Sequence, residues 1–270
     1  LDGDTSAVDA LKKDLAELRN RKIHLLKSAG FPEDYLEPVY DCPDCKDTGY
    51  IGNKKCHCFK KAIIGLLYDQ SNIKKFPVEA DFSNFRLDYY PVSHYDKKTG
   101  RSSRSMMEDT LRICHHFIDS FGTEFNNLFF YGDVGVGKTF LSTCIAKEIM
   151  NREYSVLYFS APQLFNTLAK NAFDKNDIDA HNMCEYIFDC DLLIIDDLGT
   201  EYTNAFIASQ FFTCINERLL HRKSTIISTN LSLESLADLY TERSFSRITS
   251  RYSLLKIVGD DIRIKKKLEH

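Results

Sequence analysis

The segment Gly132-Asp133-Val134-Gly135-Val136-Gly137-Lys138-Thr139, followed by Phe140, fits G-x4-G-K-[ST] and has the residue types needed to hold a chain of phosphates. Phosphate oxygens need donors at close range. Glycines let backbone N–H groups turn inward, and a helix starting at Lys138 adds the partial positive charge of its N-terminus. Lys138 is then placed to reach the outer phosphates and Thr139 to ligate Mg²⁺, so Gly132 through Phe140 are expected to bind ATP or ADP. Further along, Leu192-Leu193-Ile194-Ile195 is an apolar run ending in Asp196-Asp197. Asp196 is the expected second Mg²⁺ partner. Asp197 is placed to orient or deprotonate an attacking water, or else serves only as a turn or helix-capping residue before Leu198-Gly199. A third run, Thr225–Thr229, ends in Asn230, a polar side chain able to contact the water or the outer phosphate. Together Lys138, Asp196, Asp197 and Asn230 describe an NTP-hydrolysing site better than a small-molecule kinase site.

A second chemistry sits upstream. Cys42-Pro-Asp-Cys45 and Cys56-His57-Cys58 offer two close ligand pairs separated by ten residues, a spacing that suits one tetrahedral Zn²⁺. Soft thiolates select zinc over hard cations, and a knuckle this small can hardly build a core without metal. The fourth ligand is Cys58 or His57, with Cys58 preferred. A redox dithiol is the alternative, but no thioredoxin-like βαβ pattern surrounds Cys42 and Cys45.

The elements that must position these residues follow from periodicity. From about Ser6 to Ala29, Val8, Leu11, Leu15, Leu18, Leu25 and Leu26 recur at helical spacing among charged residues, and Gly30 with Pro32 ends the helix. A second helical stretch is expected from Lys60 to about Asn72. A connector with a polar, flexible loop at Ser93–Ser105 follows. From Met106 helices alternate with strand candidates at Asn127–Tyr131, Tyr154–Phe159, Asp191–Ile195, Thr225–Thr229 and Ser253–Val258, the pattern of an α/β fold with a five-stranded parallel sheet covered on both faces. The expected organisation is a helical zinc-binding domain over 1–75, a linker over 76–105, the nucleotide-binding domain over 106–267, and a tag remnant at 268–270. The start at Leu1 suggests a trimmed N-terminus.

Composition narrows the classes. The 270 residues carry 35 Lys and Arg against 39 Asp and Glu, a net charge of −4, with 43% hydrophobic residues, which is globular rather than disordered. No uncharged stretch approaches the ~20 apolar residues of a membrane span, and no leader precedes the first helix, so a cytoplasmic protein is expected. The scattered Cys114, Cys144, Cys184, Cys190 and Cys214 are expected as small core residues in a reducing compartment. The slightly acidic balance argues against a strong non-specific grip on DNA.

With these residues in view, the chain resembles AAA+ ATPases of the DnaC/DnaI helicase-loader group and their IstB-like relatives. The resemblance covers Asn127–Lys267, carried by Tyr131–Thr139, Leu193–Gly199, Ser228–Asn230, Glu242–Arg251 and Gly259–Arg263. It implies that Asn230 matches the sensor-1 residue, Arg247 the arginine finger, with Arg243 as nearest competitor, and Arg263 the sensor-2 arginine. A finger supplied by a neighbouring subunit makes hydrolysis report on self-association through the AAA+ domain. Without the resemblance each arginine reads equally well as a surface salt bridge. Many AAA+ proteins have Asp-Glu where this chain has Asp196-Asp197, which points to slow turnover. Cys42–Cys58 with its flanking helices resembles the zinc-containing N-terminal domain of loaders such as DnaI, which contacts the replicative hexameric helicase. Val8–Leu26 and Ile63–Tyr68 are by that analogy candidate partner surfaces, although such stripes are commonly core. Family members touch single-stranded DNA near the segments where Lys170, Lys175, Tyr202 and Phe206 lie here, a cation and aromatic set. With the sequence ending soon after Arg263, the helix-turn-helix of an initiator is not expected. The implied role is ATP-dependent loading of the replicative helicase, against an IstB-like transposition ATPase and a phage or plasmid helicase adaptor that barely hydrolyses ATP.

Overall fold

A run of β-branched and aromatic residues bounded by turn formers becomes a buried parallel strand when helices cover both faces, and five such runs do so here. The computed structural model describes residues 5–59, 61–62, 80–174 and 176–269. By contacts the chain divides into two compact units, 1–56 and 57–270.

The first unit holds helix α1 (Thr5–Ser28) and a two-stranded antiparallel ribbon, β1 (Tyr50–Ile51) with β2 (Lys54–Lys55). Helix α1 is the periodic helix expected from the sequence. Its apolar stripe, however, is not core: Val8, Leu11, Leu15, Leu18 and Leu25 are exposed, and only Leu26 is buried. The second helical stretch expected from Lys60 lies, beyond residue 62, outside the described residues.

The second unit runs through two 3-10 turns, Phe82–Asn84 and Leu87–Tyr89, and then passes between helices and strands, with one or two helices between successive strands. Helix α2 (Ser103–Asp119) leads to β3 (Leu128–Tyr131), α3 (Lys138–Asn151), β4 (Val156–Ser160), α4 (Ala161–Phe173) and α5 (Ile178–Asp189). Next come β5 (Leu192–Leu198), α6 (Ala205–Leu220), β6 (Ser224–Thr229), α7 (Leu233–Leu239), α8 (Glu242–Arg251), β7 (Ser253–Lys256) and α9 (Ile262–Leu268). The five strands pair in the order β4-β5-β6-β3-β7, all parallel. One core lies on each face of the sheet, centred on Phe129, Leu157, Ile195 and Phe211 on one side and on Phe130, Leu141, Ile194 and Ile226 on the other. Among the described residues no helix is long and apolar enough to cross a membrane.

The segment read as a connector is built into this packing. Tyr89 and Tyr90 are buried in the second core. The polar run at 93–105 folds into a small turn closed by the Tyr95–Ser102 bridge, with the buried Asp96 carboxylate accepting from Thr99 N (3.0 Å) and Oγ1 (2.9 Å) and paired with Lys256. A polar run need not be mobile when a carboxylate organises its own turn and has a cation to face. The five scattered cysteines are all buried, as expected.

Candidate nucleotide and metal sites

In an open α/β sheet ligands bind at the carboxyl ends of the strands. The turn after β3 carries Gly132, Gly135 and Gly137 at φ of 142°, 76° and 103°, in the left-handed half of backbone space. All three places also exclude a side chain: a Cβ at Gly132 would lie 2.1 Å from the Ile257 carbonyl oxygen, one at Gly135 2.1 Å from the Asp261 carboxyl group, and one at Gly137 2.7 Å from the Tyr90 hydroxyl. The glycines are therefore required by conformation and by space. Helix α3 begins at Lys138, directly beyond the turn, so its free N–H groups face the loop.

Lys138 is nearly fully buried and its ammonium donates to the carbonyls of Gly132 (2.8 Å) and Asp133 (2.6 Å) and to Asn230 Oδ1 (2.5 Å). Burial pulls its pKa down, opposed by Asp197, Asp196 and Asp133. Thr139 Oγ1 donates to Asp196, with distances of 3.0 and 3.2 Å to the two carboxylate oxygens. Tyr158 OH donates to Asp196 at 2.7 Å and Ser228 Oγ donates to its other oxygen. The Asp196 carboxylate is thus fixed from three sides, with a hydroxyl ligand partner beside it.

Asp197 adopts φ 55°, and the pairing of β5 with β6 slips between Ile195 and Leu198. That irregularity turns its side chain out of strand alternation and into the cavity wall, while its N–H donates to Ser228 Oγ (3.0 Å). Burial and the neighbouring Asp196 raise its pKa, opposed by Lys138 and Arg263.

Lys138, Thr139 and Asp197 share one cavity of about 410 Å³, lined also by Gly135, Gly137, Asn230 and Arg263 on its polar side, with Asp196 held behind Thr139. Phe85, Tyr90, Phe140 and Ile262 line the other side. The volume, an apolar wall and a polar floor of backbone and cationic donors fit a nucleoside phosphate. Arg263 is held by Asp261, with Nε to Oδ1 at 3.0 Å and Nη2 to Oδ2 at 2.7 Å. Asp261 also caps α9, accepting from Arg263 N at 2.9 Å. Val134 is exposed at the turn's rim, and Val136 is buried beneath it.

Arg247 is not in this cavity. It lies on α8 in a separate depression with Phe212, Glu242, Arg243 and Ser246, exposed to solvent. Of the residues considered for single strands, Lys170 and Tyr202 are exposed, Phe206 is half-buried with its ring 5.0 Å from that of Phe173, and Lys175 lies outside the described residues.

Sequence reasoning missed Tyr90, Phe85 and Ile262 as cavity walls, Tyr158 and Ser228 as holders of Asp196, and Asp261 as the partner of Arg263. Ser228, Asp261 and Ile262 lie within segments that carry the resemblance, but their types alone gave them no role, and Phe85, Tyr90 and Tyr158 lie outside those segments.

Upstream, Cys42, Cys45, Cys56 and Cys58 bring their sulfurs within 4.8 Å of one another. Cys42 and Cys56 Sγ lie 3.7 Å apart, close to the roughly 3.8 Å expected between ligands of a tetrahedral ion with 2.3 Å metal–sulfur bonds. The left-handed Lys46 and Asp47 shape the loop after Cys45, and Asp47 Oδ1 accepts from Cys42 N at 2.8 Å. The cluster includes Cys58 and leaves His57 out. Its donor set is compatible with zinc.

Residues 70–270 match the IstB-like ATP binding protein family. The chain belongs to this family. Among individual proteins it is similar to the phage-like element PBSX protein XkdC of Bacillus subtilis strain 168, with 27% identity over 236 residues, 82% of this chain and 83% of that one. It is similar to the replicative helicase loader DnaI of the same organism, with 29% identity over 115 residues, 42% of this chain and 36% of that protein. That match thus spans only about a third of DnaI. Among solved structures it resembles the DnaC helicase loader, with 26% identity, 65% of this chain and 97% of that one, and a TM-score of 0.51. The α/β fold with its five-stranded parallel sheet is that of this AAA+ group, as the resemblance implied.

Proposed function

We propose that this chain is an ATPase that loads a replicative DNA helicase in the initiation of DNA replication, with ATP binding and hydrolysis acting as a switch between assembly states. The observation that carries the reading is the convergence of Lys138, Thr139, Asp196, Asp197, Asn230 and Arg263 around one strand edge, while Arg247 lies in a separate depression. In this reading Gly132 through Phe140 cradle the phosphates, and Lys138 exchanges its two carbonyl partners for phosphate oxygens. Thr139 and Asp196 hold Mg²⁺, which when bound neutralises charge between the outer phosphates. Asp197 orients and deprotonates the attacking water, and Asn230, tied to Lys138, positions it. Arg263 leaves Asp261 for the outer phosphate. Arg247 reaches the nucleotide of a neighbouring copy, so that hydrolysis depends on self-association through the AAA+ domain.

The N-terminal region, with Zn²⁺ held by Cys42, Cys45, Cys56 and Cys58, is the helicase-docking part. Support comes from the DnaI and DnaC similarities rather than from a contact seen here. Single-stranded DNA is a further proposed partner, through Lys170, Lys175, Tyr202 and Phe206. A second reading, a phage-element helicase adaptor with little turnover, draws on the similarity to XkdC over most of both chains. The IstB-like transposition ATPase is the third, drawing on the family match alone.

The test is ATP turnover by the protein alone, with its helicase, and with helicase and single-stranded DNA. The loader reading expects slow turnover alone, raised by the partners and abolished in Asp197→Asn. Binding of ATP with no turnover under any condition favours the adaptor.

A further inference from the structure

Helix α1 has a seam that the described residues of its own unit leave exposed. Residues 8–22 are exposed on every face, so among the described residues nothing buries these four turns of helix, and isolated helices of that length are marginal in water. Only the far end is anchored, with Ile23 half-buried and Leu26 buried. The five exposed apolar residues follow a strict 3-4 alternation: Val8 and Leu15 fall at heptad position a, Leu11, Leu18 and Leu25 at d, and Lys22 fills the remaining a. That stripe is two positions in seven. A globular core asks for a wider face, about three in seven, whereas a two-position seam is the width covered by one partner helix.

The charges beside the seam identify that helix. With Val8 at a, Asp14 takes position g and Arg19 position e. In a parallel, in-register pair the g residue of one helix meets the following e residue of the other, so Asp14 faces Arg19 of the second copy twice, once on each side of the two-fold axis. Neither Asp14 nor Arg19 makes an ion pair within 4.0 Å among the described residues, although Arg19 is near enough to Glu33 to help hold its carboxyl low. The other flanking charges, Lys12 and Arg21, meet Ala7 and Leu26 in that register and meet no like charge. Leucine at d with a single lysine at a suits two strands, because the two Lys22 side chains can extend past the seam into water.

We propose that α1 forms a parallel two-stranded coiled coil with α1 of a second copy of this chain, a self-association separate from the nucleotide site. The inference stands whether or not the loader reading does.

Sedimentation velocity of the zinc-loaded full-length protein without nucleotide, over two decades of micromolar concentration, tests it. The expected result is a monomer–dimer equilibrium whose dissociation constant rises by at least about a hundredfold in Leu15→Lys/Leu18→Lys, which takes two leucines out of each seam. Both leucines are about 60% exposed (58% and 62%), so the variant has no core to lose, and unchanged circular dichroism of the second unit checks this. Asp14→Arg and Arg19→Asp each weaken the dimer, and the double exchange restores it; in an antiparallel pair g meets g and e meets e, so the double exchange would restore nothing. Four results overturn the proposal: a monomer at every concentration, a dimer indifferent to the leucine substitutions, a dimer that the double exchange fails to restore, or a seam protected only when helicase is added, which would assign it to that partner.

Discussion

Tyr90→Phe removes one oxygen from the wall of the cavity. The Tyr90 hydroxyl donates to the Val136 carbonyl at 2.7 Å, both residues are buried, and the same oxygen lies 2.7 Å from where a Cβ on Gly137 would fall. The ring stays packed against Phe85, with centroids 5.7 Å apart and planes 8° from parallel, so the change deletes a hydrogen bond and little volume. Leaving a buried carbonyl without its donor costs about 1–3 kcal/mol. In a unit of about 200 residues each kcal/mol lowers Tm by about 2–4 °C, so melting should fall by between about 2 and about 12 °C. Whatever part of the loss falls on the phosphate-binding turn also weakens ATP, tenfold for each 1.4 kcal/mol. Differential scanning calorimetry and titration with a fluorescent ATP analogue measure the two effects. A variant that melts within about 1 °C of wild type and binds ATP within about twofold would show that Tyr90 does not hold the turn.

Further outcomes follow from other parts of the molecule. Arg247→Ala should keep ATP binding and lose about 10³-fold or more of the partner-stimulated turnover, as for a finger acting on a neighbour's nucleotide; Arg243→Ala run in parallel decides between the two arginines. Release of metal with a thiol reagent should yield one zinc per chain, and Cys58→Ser should lower that yield while His57→Ala leaves it unchanged; the reverse would make His57 the ligand. The Lys256 ammonium holds the Asp96 carboxyl below the usual carboxylate range, helped by Thr99. A depressed carboxylate contributes stability above its unfolded value of about 3.9 that is lost as pH falls through the lower folded value, so Asp96→Asn should flatten the acid side of the stability profile measured by urea unfolding.

The sheet and the phosphate turn were legible because each depends on local signals. Apolar runs such as Leu192–Ile195 have one way to be buried, and the glycines at 132, 135 and 137 sit where left-handed backbone is needed. Strand ends were placed within a few residues, except that β5 continues through Asp197 to Leu198, since a slip in register leaves no mark in composition. The apolar wall was not legible. Phe85 and Tyr90 come from a segment whose prolines and polar residues read as a connector, and only packing against the turn after β3 gives them a role. The Asp261–Arg263 pair was hidden for a similar reason, because a cap and an ion pair use the same two residues. For α1 the periodicity was plain from sequence, but whether the stripe meets its own chain is a tertiary fact.

The central claim is that nucleotide controls the association of this chain with a replicative helicase. Light scattering of the purified protein mixed with the hexameric helicase of its source, with ATP and then with ADP, measures that directly. A complex of defined mass that differs between the two nucleotides, and that is lost when Cys42 and Cys45 are replaced by serine, is the predicted result. A folded, zinc-loaded protein that binds ATP yet forms no complex with the helicase under either nucleotide would contradict the account.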